Sequence, residues 1–284
     1  MVLNINIKGV MHKRGLPPFM FMLLLLLPLL CLAGEGPHAP EAGRAGSTAI
    51  PMDHEGIIGW ASGWQEYLPG EAVEDPWMKP DKALGRASGI TSDVVSLGWG
   101  GSLTLTFDYP IENKKGYNLA VFSNSFSDTF LELAFVEVST DGQTFVRFPN
   151  ESLTQNPVHA FGHVNPTHID GFAGKYRAGF GTPFDLDQLK EEDAVIGGEV
   201  DLSRIVYVRL VDVKGDGSLK DSFGNPVYAP YPTKISAGFD LDGVAVLSGV
   251  VLESSEEEKK APLVTGGIGN DAGCFMGQLT IPDE

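Results

Sequence analysis

The most regular feature of this chain is an alternation of apolar and polar residues along several short runs. Residues 102–107 alternate with a period of two, and so do residues 135–139. The second run is followed by the pair Asp141-Gly142 and then by another apolar run, residues 145–148. A period of two places successive side chains on opposite faces of a strand, and an Asp-Gly pair between two such runs indicates a β-hairpin. The pattern therefore predicts antiparallel strands.

Three further apolar runs predict strands, at residues 117–122, 205–211 and 244–251. Residues 186–192 form the one segment whose pattern favours a short helix. Each alternating strand has one apolar face, and the stable way to bury several such faces in one domain is to pack two sheets together. We therefore predict an all-β fold, a jelly-roll-like two-sheet β-sandwich with long loops and one short helix.

The composition agrees with a globular core built from strands. Hydrophobic residues make up 43% of the 284 residues, whereas 35 glycines and 19 prolines are too many helix breakers for long helices. The formal net charge is −17. Because a protein gains affinity for nucleic acid by neutralising phosphates with Lys and Arg, this charge argues against a nucleic-acid partner.

The first 33 residues have the pattern of a secretory leader. Three cations precede an apolar block at residues 19–32, which is too short to span a bilayer comfortably. Small residues, Cys31 and Ala33, stand where a signal peptidase requires them. We predict a signal peptide at residues 1–33, export to the medium, cell surface or periplasm, and no transmembrane segment in the mature chain. A lipid anchor on Cys31 is the alternative, although Leu30 stands where lipoprotein signals have a small residue.

The remaining chain divides into three segments. Residues 34–49 are rich in Gly, Ala, Pro and Glu, which predicts a flexible linker. Residues 50–252 hold the predicted strands and form the β-sandwich domain. Residues 253–284 begin with a charged run and continue into a Gly-rich tail, which predicts disorder. After cleavage of the leader Cys274 is the one remaining cysteine, so no internal disulfide is expected.

Acidic residues are concentrated where the last predicted strands meet their loops. Hard oxygen ligands from such loops suit calcium, which predicts a structural Ca²⁺ site. An EF-hand loop is excluded because a loop starting at Asp212 has Lys214 at its third position, where an oxygen ligand is required. The candidate metal ligands are Asn124, Asp212, Asp216, Asp221, Asp240 and Asp242. The alternative is that aspartates in Gly-rich turns only accept hydrogen bonds within those turns.

The sequence Phe-Asp-Leu-Asp occurs twice, at residues 184–187 and 239–242. In the first copy a predicted helix follows, so Asp185 is expected to cap the N-terminus of that helix. In the second copy an apolar strand follows instead. Asp240 and Asp242 therefore have no capping role and are the better candidates for metal ligands.

Aromatic residues near the predicted loops are candidates for ligand contact. We expect Trp99, Tyr176, Tyr228 and Tyr231 on a recognition face, because aromatic rings stack on sugars and pack on protein partners. The aromatic residues among the glycines of residues 161–184 line a ligand groove or pack a long loop onto the sheet, and we favour packing. Three histidines within residues 159–168 lie among prolines and a glycine that prevent a helix, so we interpret them as surface loop residues rather than zinc ligands.

The chain carries none of the common enzymatic motifs. It has no Gly-x-Ser-x-Gly elbow, no His-Glu-x-x-His zinc motif, no phosphate loop and no dinucleotide fingerprint after a strand. We therefore predict that the protein is not an enzyme. A glycan hydrolase remains the alternative, because the carboxylate pair of such enzymes is defined by its separation in space and this chain is rich in acids.

Ten segments of the predicted domain are similar in sequence to motifs of one protein family. The segments are residues 82–85, 96–105, 119–124, 135–142, 171–176, 181–186, 211–213, 221–224, 228–233 and 238–242. Together they resemble the bacterial secreted and cell-surface proteins that have a galactose-binding-like β-sandwich domain, some of which carry C-terminal sorting signals. The resemblance covers residues 57–247. Two departures are Ser123, where such proteins often have Glu, and Ala229, where they often have Asp, so two potential oxygen ligands are missing.

The resemblance implies a jelly-roll-like sandwich outside the cytoplasm with a ligand-binding or adhesive role and a structural calcium. We accordingly expect an exported, non-catalytic binding or adhesion module of the cell surface, with loops ordered by calcium and an extracellular glycan or surface protein as partner. An extracellular glycan hydrolase is the first alternative. The second is a structural component of a surface assembly, and the sequence leaves the oligomeric state open.

Overall fold

Short antiparallel strands make up most of the regular structure. The computed structural model describes residues 36–252. The strands are β1 (Ile50–Pro51), β2 (Ile57–Trp60), β3 (Gly63–Leu68), β4 (Val95–Ser96), β5 (Ser102–Ile111), β6 (Tyr117–Ser123), β7 (Ala134–Ser139), β8 (Val146–Arg147), β9 (Glu151–Ser152), β10 (Ile169–Asp170), β11 (Phe180–Phe184), β12 (Ile205–Asp212), β13 (Asp216–Lys220), β14 (Pro226–Tyr228) and β15 (Asp240–Val250). The helical segments are four short 3₁₀ turns, Asp75–Trp77, Pro80–Ala83, Pro166–His168 and Leu186–Leu189, and the single-turn helix α1 (Asp193–Ile196).

These strands form two main sheets. The first sheet has six strands in the order β1-β11-β6-β15-β2, with β4 paired to the start of β15. The second has five strands in the order β3-β5-β12-β7-β8. Two small ribbons, β9 with β10 and β13 with β14, lie outside these sheets. All strand pairs are antiparallel, as the alternating pattern predicted.

One apolar core is built from alternate residues of both sheets. In β12, Val208 and Leu210 are fully buried, whereas Tyr207 before them and Arg209 between them are partly exposed. From the first sheet, Leu241 of β15 packs in the same cluster of buried residues. Burial of each such aliphatic side chain stabilises the fold by about 1.5–3 kcal/mol. The period of two therefore decides which side chains hold the two sheets together.

The first sheet is covered on both faces. Alternate residues of β6 belong to two different apolar clusters: Val121 packs in the core between the sheets, and Phe122 packs in a second cluster with Ile50 and Leu247. The rings of Trp60 and Phe122 lie 5.2 Å apart in this second layer. A strand that is buried on both faces reads as a continuous apolar run, which explains why β6 alternates less clearly than β5.

The long segment between β9 and β11 packs on an apolar layer, as the sequence predicted. Phe172 and Ile169 are fully buried against Phe135 and Leu133. Phe161 behaves differently, because its side chain is 77% exposed. One aromatic residue of this segment is therefore left free to contact other molecules.

The all-β sandwich is confirmed, and the Asp-Gly hairpin is confirmed in detail. Strands β7 and β8 pair across the turn, Gly142 has a φ of +74°, and the Asp141 carboxylate accepts hydrogen bonds from the backbone N–H groups of Gln143 and Thr144. The helix expected at residues 186–192 is a 3₁₀ turn followed by α1, and Asp185 caps the turn by accepting a bond from Asp187 N.

Residues 36–49, expected as part of a flexible linker, lie on the sandwich. Gly36 N donates to Thr167 Oγ1 at 2.7 Å, Arg177 donates to the carbonyl oxygen of Ala42 at 3.0 Å, and Thr48 Oγ1 lies 2.8 Å from the hydroxyl of Tyr176. These polar contacts tie a segment with few apolar residues to the domain, in contrast to the free tether that composition alone predicted. The predicted leader (residues 1–33), the predicted tail (residues 253–284) and both cysteines lie outside the described residues.

Within residues 36–252, none of the helical segments is both long and apolar enough to cross a lipid bilayer.

Leu210 provides a test of the core. It lies in the central strand of the second sheet, opposite Leu103 and Val136. We expect Leu210→Ala to lower the free energy of unfolding, measured by urea denaturation, by about 2–5 kcal/mol, because it leaves a cavity between the sheets. Leu219→Ala, at a side chain that is 37% exposed in β13, is the control and should change this free energy by less than about 0.5 kcal/mol. Equal effects of the two substitutions would contradict the packing described here.

Candidate functional site

Asp212 joins the end of β12 to the start of β15. Its carboxylate is fully buried and accepts hydrogen bonds from Phe239 N at 2.7 Å and Gly100 N at 2.9 Å. Burial raises the pKa of Asp212 to about 7, although the two hydrogen bonds oppose the rise. Gly238 has a φ of +74°, and a Cβ there would lie 2.6 Å from Asp212 Oδ1. The loops are therefore built closely around this carboxylate.

Three other predicted metal ligands also accept hydrogen bonds from loop backbone. Asp242 accepts from Ser88 N and Gly89 N, both at 2.8 Å. Asp221 and Asp216 each bond the backbone of their own turn, and Asp221 also accepts from Ser152 N at 2.9 Å. These contacts fit the alternative that the sequence left open, in which aspartates of Gly-rich loops satisfy backbone N–H groups.

Asp240 is held by side chains instead. Its carboxylate accepts hydrogen bonds from the hydroxyl of Ser96 and from Asn124 Nδ2, the second at 2.7 Å. The side chain is nearly fully buried, and burial raises the pKa of Asp240 to about 7. Asp212 is close enough for its charge to raise the pKa of Asp240 further. The structure thus brings Asn124, Asp212 and Asp240 into one neighbourhood.

Glu132 completes this neighbourhood and was missed at the level of sequence. Its Oε1 atom is buried and has no hydrogen-bond partner. Burial, reinforced by the charges of Asp240 and Asp212, raises the pKa of Glu132 well above its ordinary value, and a hydrogen bond with Thr233 opposes the rise. The one sequence signal for this residue is a carboxylate inside the apolar run 130–136. A buried oxygen without a partner is costly, so this position requires an explanation.

Glu132 and Asp240 both line a pocket with an inner and an outer part, which we call the acid pocket. The inner void measures about 10 Å³, close to the smallest space that holds one water molecule. It is lined by Ser123, Asn124, Ser125, Phe130, Glu132, Phe239 and Asp240. The outer cavity measures about 340 Å³ and shares Asn124, Phe130, Glu132 and Asp240 with the void. Its other lining residues are Trp77, Thr91, Phe126, Phe161, Thr233, Lys234, Ile235 and Ser236.

Three phenylalanine rings form a stack at the wall of the outer cavity. The rings of Phe126 and Phe130 lie 4.5 Å apart, and those of Phe130 and Phe161 lie 6.1 Å apart, with interplanar angles of 20° and 23°. Phe130 in the middle is buried, whereas Phe126 and Phe161 are 65% and 77% exposed. We call this set the phenylalanine stack. The stack therefore exposes the rings of Phe126 and Phe161, which pack on the buried ring of Phe130.

The predicted aromatic recognition residues divide into separate groups. Trp99 and Tyr231 pack together with their ring centroids 4.9 Å apart, and the Lys214 ammonium lies 6.0 and 5.5 Å from those centroids. Tyr228 lies in β14, opposite Asp216 of β13. Tyr176 is 1% exposed and its hydroxyl contacts Thr48, so its ring has no surface for an external ligand.

Two positions singled out by the resemblance have different surroundings. Ser123, at the position of an expected Glu, lines the inner void. Ala229, at the position of an expected Asp, is buried in an apolar cluster with Val213 and Val227. Only the first of these positions therefore lies at the acid pocket.

The remaining predicted ligands are not gathered there. Asp242 bonds the loop of Ser88 and Gly89, and Asp216 and Asp221 bond the two ends of the β13–β14 ribbon. Among residues 36–252, no group of three or more His, Cys, Asp or Glu side chains is placed to hold a metal ion. Calcium therefore stays a prediction, and the acid pocket brings together two of its predicted ligands, Asn124 and Asp240.

A second cavity, of about 530 Å³, is lined by the three loop histidines His159, His163 and His168. His163 Nδ1 lies 2.7 Å from Thr129 Oγ1. The other lining residues are mostly neutral polar and apolar residues of the segment 153–165. His159 and His163 lie in irregular loops, as expected, whereas His168 ends the 3₁₀ turn Pro166–His168.

A scan against models of known protein families finds no match to this chain, and a search of curated proteins finds no match either. The resemblance to bacterial cell-surface proteins with a galactose-binding-like domain thus remains a prediction from the residues quoted above.

The buried acids predict an unusual dependence of stability on pH. The pKa values of Asp212 and Asp240 are about 7, above the ordinary value of 3.8, and the pKa of Glu132 is also raised. Between about pH 4 and pH 7 the folded protein therefore binds more protons than the unfolded chain. Stability should therefore fall as the pH rises. In EDTA, we expect the free energy of unfolding to be about 2–4 kcal/mol lower at pH 7.5 than at pH 5.5, measured by urea denaturation.

The measurement stays below pH 8 because burial lowers the pKa of Lys175 to about 8, and this ammonium titrates with the opposite effect on stability. Asp240→Asn removes one of the raised pKa values and should reduce the difference between the two pH values. Stability that is constant or increases from pH 5.5 to pH 7.5 would contradict the electrostatic description of the site.

Proposed function

We propose that this protein is an exported, non-catalytic binding module of the cell surface and that it takes its ligand in the acid pocket. The observation that carries the proposal is the phenylalanine stack, which exposes two large aromatic side chains beside a cavity of about 340 Å³. Concave cavities with aromatic walls and a few convergent polar groups are the usual form of binding sites.

The stack is suited to binding because its geometry is set before a ligand arrives. Phe130 anchors the two outer rings, and the hydroxyl of Ser125 donates to the carbonyl oxygen of Ser127 at 2.6 Å within the same loop. A wall that is already ordered loses little conformational entropy on binding. Exposed aromatic faces of this kind stack on sugar rings or pack on protein side chains, which agrees with the expected partners, an extracellular glycan or a surface protein.

A glycan hydrolase is the second candidate, because Glu132 and Asp240 form a pair of carboxyls with raised pKa values at the floor of one cavity. An acid that keeps its proton near neutral pH can protonate a leaving group. One observation favours binding instead. Both oxygens of Asp240 already accept hydrogen bonds, from Ser96 and Asn124, which hold this carboxylate in place.

The test is a glycan array followed by calorimetric titration of the strongest binder with the full-length protein. Phe126→Ala combined with Phe161→Ala should weaken binding at least tenfold, because it removes both exposed rings of the stack. The control is Phe223→Ala, which removes a ring that is 70% exposed in the turn between β13 and β14. It should leave the affinity unchanged.

Three results would count against the proposal. A glycan that binds the double variant and the wild-type protein equally well does not use the stack. Release of reducing sugar from a bound glycan would establish the hydrolase instead. Failure of every glycan to bind, with self-association of the protein in size-exclusion chromatography, would favour a structural component of a surface assembly.

A further inference from the structure

We infer that the inner void of the acid pocket is a calcium site, with the carboxylates of Glu132 and Asp240 as its charged ligands and the hydroxyls of Ser123 and Ser125 as neutral ones. The site lies beneath the cavity proposed for recognition. It holds or fails independently of what the phenylalanine stack binds.

The first argument is the missing positive charge. Glu132 and Asp240 line the same small void, and no ion pair among the described residues includes either of them. Lys234 lines the outer cavity but is exposed and forms no ion pair with these acids. Two carboxylates and one divalent cation are neutral together, which removes the cost of burying two like charges.

The second argument is the unused oxygen. Glu132 Oε1 is buried without a hydrogen-bond partner, although more than nine-tenths of buried polar groups in proteins have one. Every other buried acid near the loops accepts at least two hydrogen bonds, as Asp212 and Asp242 do. Glu132 lines the void together with Asp240, so this unused oxygen is available to a cation bound between the two side chains.

The third argument is the chemistry of the lining. The side chains around the void offer carboxylate, amide and hydroxyl oxygens, and they include neither sulfur nor imidazole nitrogen. Such a set suits a hard cation rather than zinc or copper. Calcium fits better than magnesium because it accepts irregular sets of six to eight oxygens, including neutral ones and waters, whereas magnesium requires a near-ideal octahedron. The outer cavity supplies access for the waters.

Asn124 is a positioning residue in this arrangement. Its Nδ2 atom donates to Asp240 Oδ2 at 2.7 Å and to the carbonyl oxygen of Thr91 at 2.9 Å. A carboxylate oxygen has two lone pairs, so Asp240 can accept this bond and still bind a cation. Asn124 therefore holds the carboxylate against the wall of the void.

A cation at this position would connect three parts of the chain. Asp240 begins β15 and Glu132 precedes β7, whereas Ser123 ends β6 and Ser125 follows it in the next loop. Phe130, the buried ring of the phenylalanine stack, also lines the void. Calcium would thus fix the loop that presents the exposed rings, with two acidic ligands and neutral oxygens completing its coordination.

The test compares thermal unfolding of the full-length protein in EDTA and in saturating calcium, together with calorimetric titration of CaCl₂. At about 100 times the dissociation constant, calcium should raise the unfolding midpoint of the wild-type protein by roughly 5–10 °C. Glu132→Gln should lose most of this increase. In EDTA the same variant should unfold at a higher temperature than the wild-type protein, because a neutral amide removes the free-energy cost of burying an acid at neutral pH, whether that acid is ionised or protonated.

Asp242→Asn is the control, since Asp242 is as deeply buried as Asp240 but its oxygens are used by backbone N–H groups. It should lower the midpoint in EDTA and in calcium alike and keep the calcium-dependent increase. Phe126→Ala with Phe161→Ala should also keep the increase, which separates this inference from the proposed function.

The inference is overturned if calcium leaves the midpoint of the wild-type protein unchanged and releases no heat in the titration. It is equally overturned if Glu132→Gln and the wild-type protein gain the same stabilisation from calcium. An equal gain from magnesium at the same concentration would exclude calcium as the specific ion. If Glu132→Gln fails to fold, Asp240→Asn in the calorimetric titration replaces it, with loss of calcium binding as the expected result.

Discussion

Carboxylates buried at the ends of strands need donors, and the loops of this sandwich are arranged to provide them. Asp212, Asp221 and Asp242 each accept hydrogen bonds from backbone N–H groups of segments distant in sequence. The backbone N–H groups of long loops have few backbone acceptors within the loop itself. A buried carboxylate offers two acceptor oxygens and therefore fixes a loop much as hydrogen bonds to a neighbouring strand fix a strand. The segments at Ser88, Gly100 and Ser152 are fixed by this pairing of side-chain oxygens with backbone donors.

Glu132 and Asp240 depart from that rule, and the departure is concentrated at one place. Asp240 is held by side chains, and Glu132 keeps one oxygen without a donor. Natural structures contain few buried groups of this kind, and they occur where a cation, a proton or a reacting group belongs. Phe130, the buried ring of the phenylalanine stack, lines the same void as the two acids. The acids and the exposed aromatic rings therefore belong to one site.

The sandwich could be predicted from the sequence because the strand period decides which residues face the core. Val208 and Leu210 in β12 alternate with partly exposed residues, and the Asp141-Gly142 turn fixes the neighbouring hairpin through local hydrogen bonds. The strand period and the Asp-Gly turn are both local sequence patterns, so they can be recognised without knowledge of the remaining fold. The order of strands in each sheet depends on long-range pairing and was not predicted.

The candidate site could be predicted only in part. Asn124 and Asp240 were expected among the metal ligands. An aspartate that binds backbone N–H groups, however, has the same sequence signature as one that binds a metal. The sequence therefore could not distinguish Asp216, Asp221 and Asp242 from Asp240. Glu132 lies in an apolar run, and Phe161 lies in a loop whose other aromatic residues are buried. Their roles follow from which segments meet in space.

The most direct measurement is a crystal structure of the protein grown in CaCl₂, with anomalous diffraction data collected at a long X-ray wavelength. The account predicts an anomalous difference peak in the inner void, with Glu132 and Asp240 oxygens 2.3–2.6 Å from it, as calcium coordination requires. A void without such a peak, in which Glu132 Oε1 shares a proton with Asp240 or bonds a water molecule, would contradict it.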